Sequence, residues 1–286
     1  MAVSTKIIKR RIRSVTNTKK ITKAMELVSA AKMRKAVRNA LASRAYTGTA
    51  WEIVLRLSEK ADRKHHPLFA EREAKKVAVI LVSSNRGLCG AFNTNIAKRA
   101  LQLTTDNLQF EYLTLGKKAR DVIRRGGATI SADFEKQDVT TAVAEISALA
   151  HTVIDGFTKG VYDRVYIAYT HFVSSLRQES IVKQLLPIEA TDARVPLVES
   201  YEYLFEPSPA ILFNDLLPRL ITVQVYQATL ESDASEHSAR MLAMRNATDA
   251  AGDMISDLTL SFNQARQAGI TQEIAEISGG KAALEG

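Results

Sequence analysis

The C-terminal arm between Leu230 and Gly269 marks one stripe every three or four residues: Leu230, Ala234, His237, Met241, Met244, Thr248, Ala251, Ile255, Leu258, Phe262, Ala265 and Gly269. The mean step is about 3.5 residues, the spacing that keeps a seam facing a partner helix over many turns in a left-handed coiled coil. Met241, Met244, Ile255, Leu258 and Phe262 carry the bulk of this seam, and the alanines, Thr248 and Gly269 keep it thin, so two backbones are expected to approach closely. No proline follows Pro218. A helix from about residue 210 to 278 would run roughly 100 Å at 1.5 Å per residue, wider than a globular core, so it needs a partner helix in this chain or another.

The N-terminal arm predicts that partner. Ile8, Ile12, Val15, Ile21, Met25 and Val28 fall at helical spacings, and Pro67 is the first proline, so a helix from about Thr5 to Lys60 is expected. Residues 1 to 44 hold 13 Lys or Arg against one acid, Glu26, within a chain whose net charge is +8. A solvated helix face, a transit peptide and a phosphate-binding helix all fit such a stretch. Two over-long helices at opposite ends of one chain have a single explanation: they pair antiparallel, with the middle of the chain as a hub.

That middle alternates. Lys76–Ser83 is a continuous β-branched run suited to a strand buried on both faces of a parallel sheet. Further strands are expected at 110–115, 128–134, 164–169 and 181–187, with helices at 93–103, 117–125 and 139–157. The order predicts an α/β chain: a three-layer, Rossmann-like α/β domain inserted between the two long helices. The expected division is 1–66 for the N-terminal helix, 67–209 for the hub and 210–286 for the C-terminal helix.

Chemistry is not expected in the hub. Its glycine-bearing loop, Ser83 to Gly90, has neither GxGxxG nor GxxxxGK spacing, so no phosphate cradle and no cofactor follow from it. Cys89 is the sole cysteine; without a neighbouring base it reads as a structural thiol, and no Cys-based zinc site or internal disulfide exists. His65 and His66 lack a carboxylate cluster and read as a solvated loop, and His151 and His171 stand alone. The catalytic, cofactor and metal expectations are therefore none. No apolar run is long enough to span a bilayer, so membrane association would be peripheral.

Three runs then carry a resemblance: ITKAMELVSAAKMRKA from Ile21 to Ala36, SSNRGLCGAFN from Ser83 to Asn93, and Ala234 to Ile277. Together they closely resemble the gamma subunit of the bacterial F-type ATP synthase. The resemblance implies a non-catalytic rotor shaft. Its partners would be the alpha and beta subunits of the alpha3beta3 ring, the epsilon subunit and the c-ring, and its place the cytoplasmic face of the bacterial plasma membrane. It places Met25, Arg266, Gln267, Thr271 and Glu273 against the beta subunits, Arg240, Met241 and Met244 in the neck, and Tyr203 and Glu206 in the foot near the c-ring and epsilon. The family pattern begins near Ile8, leaving too few residues ahead of it for a transit peptide of ordinary length. Ala250, Asn85, Ser278, Gly279 and Lys281 depart from the family's usual residues.

A rotor of this kind has a physical logic of its own. An antiparallel pair of unlike helices has no threefold axis, so each of three sites around it meets a different face, and turning the pair moves that bias from site to site. The alternative from a different class is a basic coiled-coil adaptor for nucleic acid. The basic residues are not interleaved with aromatics and Trp51 is the only tryptophan, so a nucleic-acid partner is not expected.

Overall fold

The computed structural model describes residues 5–60, 66–104, 108–188 and 208–285. Its elements in chain order are α1 (Thr5–Lys60), a short 3-10 turn (Pro67–Phe69), β1 (Lys76–Val82), α2 (Phe92–Leu101), β2 (Gln109–Leu115), α3 (Lys117–Arg125), β3 (Thr129–Phe134), α4 (Ala144–Thr158), β4 (Arg164–Phe172), β5 (Gln178–Leu186) and α5 (Pro209–Glu285). Two compact units arise: Met1–Val28 with Met241–Gly286, and Ser29–Arg240.

The larger unit is built on a mixed five-stranded sheet in the order β3-β2-β1-β4-β5. β1 pairs parallel with β2 and β4, β2 pairs parallel with β3, and β5 closes one edge antiparallel to β4. Alternation along β1 explains its apolar run, because both of its faces are covered. Ala78, Ile80 and Val82 pack with α4 and with stretches of α1 and α5. Val77, Val79 and Leu81 turn to the opposite face, against Ile96 and Ala100 of α2 and Ala119 and Ile123 of α3.

Element ends differ from the sequence expectation by up to three residues at β4 and β5, and two larger departures have a local cause. α4 begins at Ala144 rather than Val139. The intervening residues are held by other bonds: Glu145 Oε1 accepts from the backbone N–H groups of Thr141 at 3.1 Å and Ala142 at 3.0 Å, and Asp233 Oδ2 accepts from that of Thr140 at 2.7 Å. Carboxylates that take these amides hold the chain out of the helix and start it later. In α1, Ile21 and Val28 are 60% and 55% exposed and do not line the inward stripe. Thr22, half-buried, and Ser29, 3% exposed, take that face instead. A close-packed seam admits small polar side chains, so the apolar pattern read one residue early.

Gly116, between β2 and α3, sits at φ 106°. A Cβ there would lie 2.4 Å from the Ser83 carbonyl oxygen. Gly116→Ala is therefore expected to destabilise the fold by at least about 1–3 kcal/mol from backbone strain alone, with the clash adding to it. Thermal denaturation of the purified chain is the check, and an unchanged melting temperature would contradict the geometry.

Candidate functional site

In the smaller unit α1 and α5 meet along a thin seam. Thr248 Oγ1 donates to Thr22 Oγ1 at 2.8 Å. A Cβ built on Gly252 would lie 2.9 Å from Lys19 Nζ. The partner of residue 248 is 22 and that of 252 is 19, so the two helices run in opposite directions here. Met244, Thr248 and Ala251 are buried, and Ile255, Leu258, Phe262, Ala265 and Gly269 are half-buried. Met241 and Met25 are half-buried as well, whereas Arg266, Gln267, Thr271 and Glu273 are exposed. Tyr203 and Glu206 lie outside the described residues.

A second site lies wholly in the larger unit, and sequence reasoning missed most of it. From Ala228 to Ser238 every residue of α5 is buried, although most are polar. Lys136, just past β3, places Nζ 2.6 Å from Asp233 Oδ1 and 2.9 Å from Glu236 Oε2, with all three side chains almost fully buried. Glu236 Oε1 accepts from Arg240 at 2.8 Å. Arg240 also donates to the carbonyls of Arg86 at 3.1 Å and Gly87 at 3.3 Å. Burial works against the charge on Lys136, but the attraction of Asp233 and Glu236 outweighs it and raises the ammonium's pKa. Burial likewise opposes the charge on Glu236, and Lys136 and Arg240 more than offset it, so this carboxyl is held below its ordinary range. For Asp233 burial prevails and its pKa is pushed up.

The Ser83–Gly90 loop faces this cluster with the wrong polarity for a phosphate. A phosphate nest presents N–H groups, whereas here the carbonyls of Arg86 and Gly87 point at a guanidinium. Asn93 closes the loop: its Oδ1 accepts from the Ser84 N–H at 3.0 Å and its Nδ2 donates to Ser84 Oγ at 2.8 Å. Cys89 is buried beneath, and burial raises its thiol pKa, which keeps it protonated and a poor nucleophile. Among the described residues no His, Cys, Asp and Glu cluster could hold a metal ion.

Among the described residues His66, His171 and His237 make bonds within the fold. His66 is half-buried rather than a solvated loop residue: it caps the 3-10 turn, accepting from Leu68 N at 3.2 Å, and stands edge-on to Phe213. His65 lies outside the described residues. His151 is exposed, and His171 bonds Glu231. His237 has its tautomer fixed by its partners. Arg240 can only donate, so Nδ1 accepts from it at 3.3 Å, and Nε2 donates to the Asp138 carbonyl at 2.7 Å.

Burial holds the His237 pKa below its ordinary value, Glu236 and Asp233 pulling the other way and Arg240 adding to the effect. A histidine with a lowered folded pKa contributes stability above its unfolded value of about 6.5, and that stability is lost as pH falls below it. The melting temperature is therefore expected to decline on acidification from about pH 7.5 to 5.5. His237→Gln should flatten that slope, and an equal slope in the variant would contradict the assignment.

Solved chains of ATP synthases share this fold. The chain is similar to a chain of the Euglena gracilis mitochondrial ATP synthase at 18% identity and TM-score 0.71, covering 98% of this chain and 94% of that one. It is similar to a chain of the Tetrahymena thermophila mitochondrial ATP synthase central stalk and c-ring structure at 24% identity and TM-score 0.62, over 79% and 99%. These two likenesses concern the fold. The sequence model of the ATP synthase family matches residues 4–284. The ATP synthase gamma chain of Pelotomaculum thermopropionicum is 45% identical over 97% of this chain and 98% of its own length. That of Chloroflexus aurantiacus is 43% identical over 98% and 99%, and that of Legionella pneumophila 37% over 98% and 99%. The chain belongs to the ATP synthase gamma-chain family.

Proposed function

We infer that this chain is the central-stalk rotor subunit of an F-type ATP synthase, coupling ion flow through a c-ring to ATP synthesis and hydrolysis in an alpha3beta3 ring. Family membership over nearly the whole chain carries the reading. α1 and α5 act as an antiparallel left-handed coiled coil, and the reversed pairing at Thr22–Thr248 and Lys19–Gly252 supports this. The Rossmann-like three-layer hub of residues 67–209 lies between helical arms 1–66 and 210–286. Its partners are the alpha and beta subunits, epsilon and the c-ring. Met25, Arg266, Gln267, Thr271 and Glu273 serve the beta subunits, Arg240, Met241 and Met244 the neck, and Tyr203 and Glu206 the foot. No helix among the described residues is long and apolar enough to cross a membrane, and the subunit associates peripherally, on the cytoplasmic face of a bacterial plasma membrane.

The chemistry lies elsewhere in the complex. Two unlike helices present different faces to identical surrounding sites. If those faces favour open and closed forms unequally, rotation hands the preference on from site to site. Affinity purification of this chain from its native membrane is expected to recover alpha and beta subunits at about three copies each per copy of the chain. Recovery with nucleic acid and without them would overturn the reading.

The isolated chain is expected to show no tight nucleotide site, because its glycine-bearing loop turns carbonyls toward a cation. Calorimetry with Mg-ATP checks this. Low-micromolar binding abolished by Arg86→Ala would contradict it.

A further inference from the structure

A helix buried on all sides is ordinarily apolar all round. α5 is not so between Ala228 and Arg240, where Thr229, Glu231, Ser232, Asp233, Ser235, Glu236, His237, Ser238 and Arg240 are all buried. Their bonds leave the helix in several directions and reach strand β4 and separate loops that flank the same sheet. Asp233 and Glu236 take Lys136 beyond β3. Arg240 takes the loop after β1 through two carbonyls. Ser235 Oγ donates to the Thr170 carbonyl in β4 at 3.1 Å, and Ser238 Oγ to the Ser175 carbonyl in the β4–β5 turn at 2.6 Å. Glu231 takes Arg44 of α1 at 3.0 Å and also bonds His171 of β4.

Apolar packing is non-directional, and a smooth apolar helix in a smooth sleeve is held in place with little preference for angle. Hydrogen bonds and ion pairs weaken steeply when their geometry is turned. A ring of them around one helix therefore resists rotation about that helix's own axis. We propose that Ala228–Arg240 is a keyed seat in which polar bonds to strand β4 and to the loops after β1, β3 and β4 lock α5 against axial rotation, so that torque passes between the sheet with its loops and the helix without slip. The seat residues Ser235, Ser238, Asp233 and Glu236, with Lys136, are positioning residues for the coupling reaction. This rests on the rotor reading above.

The test uses the assembled complex. A bead is attached through Thr129→Cys, an exposed position in β3; buried Cys89 stays unlabelled. ATP-driven rotation is recorded for the otherwise unaltered chain, for Ser235→Ala with Ser238→Ala, and for Lys136→Met with Asp233→Asn. The second pair removes one charge of each sign and leaves Glu236 with Arg240, so at least one variant is expected to fold and assemble. A broader distribution of bead angles at each pause is expected in the variants, with loss of proton pumping per ATP and hydrolysis retained. An unchanged angular distribution and pumping ratio would overturn the seat, even if the melting temperature fell, because lost stability alone does not widen an angle. If the bead on the otherwise unaltered chain does not rotate at all, the rotor reading itself fails, and the seat with it.

Discussion

Ile255→Pro is expected to lower ATP-driven proton pumping more than ATP hydrolysis when the variant is assembled into the complex and placed in vesicles. Ile255 is half-buried on the inward stripe of α5. Proline there removes the N–H that bonds the carbonyl four residues back and drives its ring into the preceding turn, costing about 3 kcal/mol and kinking the helix. A kinked helix still lets the surrounding sites release product, but it transmits less work to the other end. Asp253→Ala is the control, since Asp253 is exposed and outside the seam, and it should leave both activities intact. Hydrolysis and pumping are measured on the same vesicles. Normal assembly with an unchanged proton-to-ATP ratio would show that a straight helix is not what couples the two ends.

The second large effect concerns stability. Lys136→Met should destabilise the chain by about 3–5 kcal/mol, because it strands two buried carboxylates without their cation. Lys136→Met combined with Asp233→Asn should recover most of that loss. Buried ion pairs often contribute little net stability, since desolvation offsets their attraction, and asparagine can still accept from the Thr140 N–H. Chemical denaturation of the isolated variants decides the matter. A double variant as unstable as the single one would mean that the ammonium itself, rather than charge balance, holds the segment together.

The arms were readable because long helices write their period into the sequence. α1 spans Thr5–Lys60, the bounds expected from its spacing and from the position of the first proline. The strands were readable for a related reason: burial on both faces of β1 selects an unbroken β-branched run. Legibility failed where polar groups replace apolar ones on a buried face. Thr22 and Ser29 were overlooked in favour of Ile21 and Val28, because hydrophobicity is a poor guide in a seam built for small side chains. The seat around α5 was overlooked for a stronger reason. Asp233, Glu236 and Arg240 look like a solvent-facing stripe, and the cation that neutralises two of them lies about 100 residues earlier. Pairing over such a distance leaves no periodicity. The one hint was compositional: a polar stretch inside a seam whose neighbours are apolar.

The dependence of Lys136 on residues so far downstream has a consequence for how the protein is made. A growing chain that has left the ribosome only as far as β5 holds the whole sheet, yet Lys136 then has neither of its buried carboxylates. Phe213, Leu217, Leu220, Ile221 and Val225, which complete one apolar face of the sheet, are also still to come. The hub therefore cannot reach its final packing until α5 has been synthesised past Glu236. Maturation waits on the last quarter of the message, and a prematurely terminated product would leave apolar surface and an unpaired ammonium exposed for the cell's proteases to find.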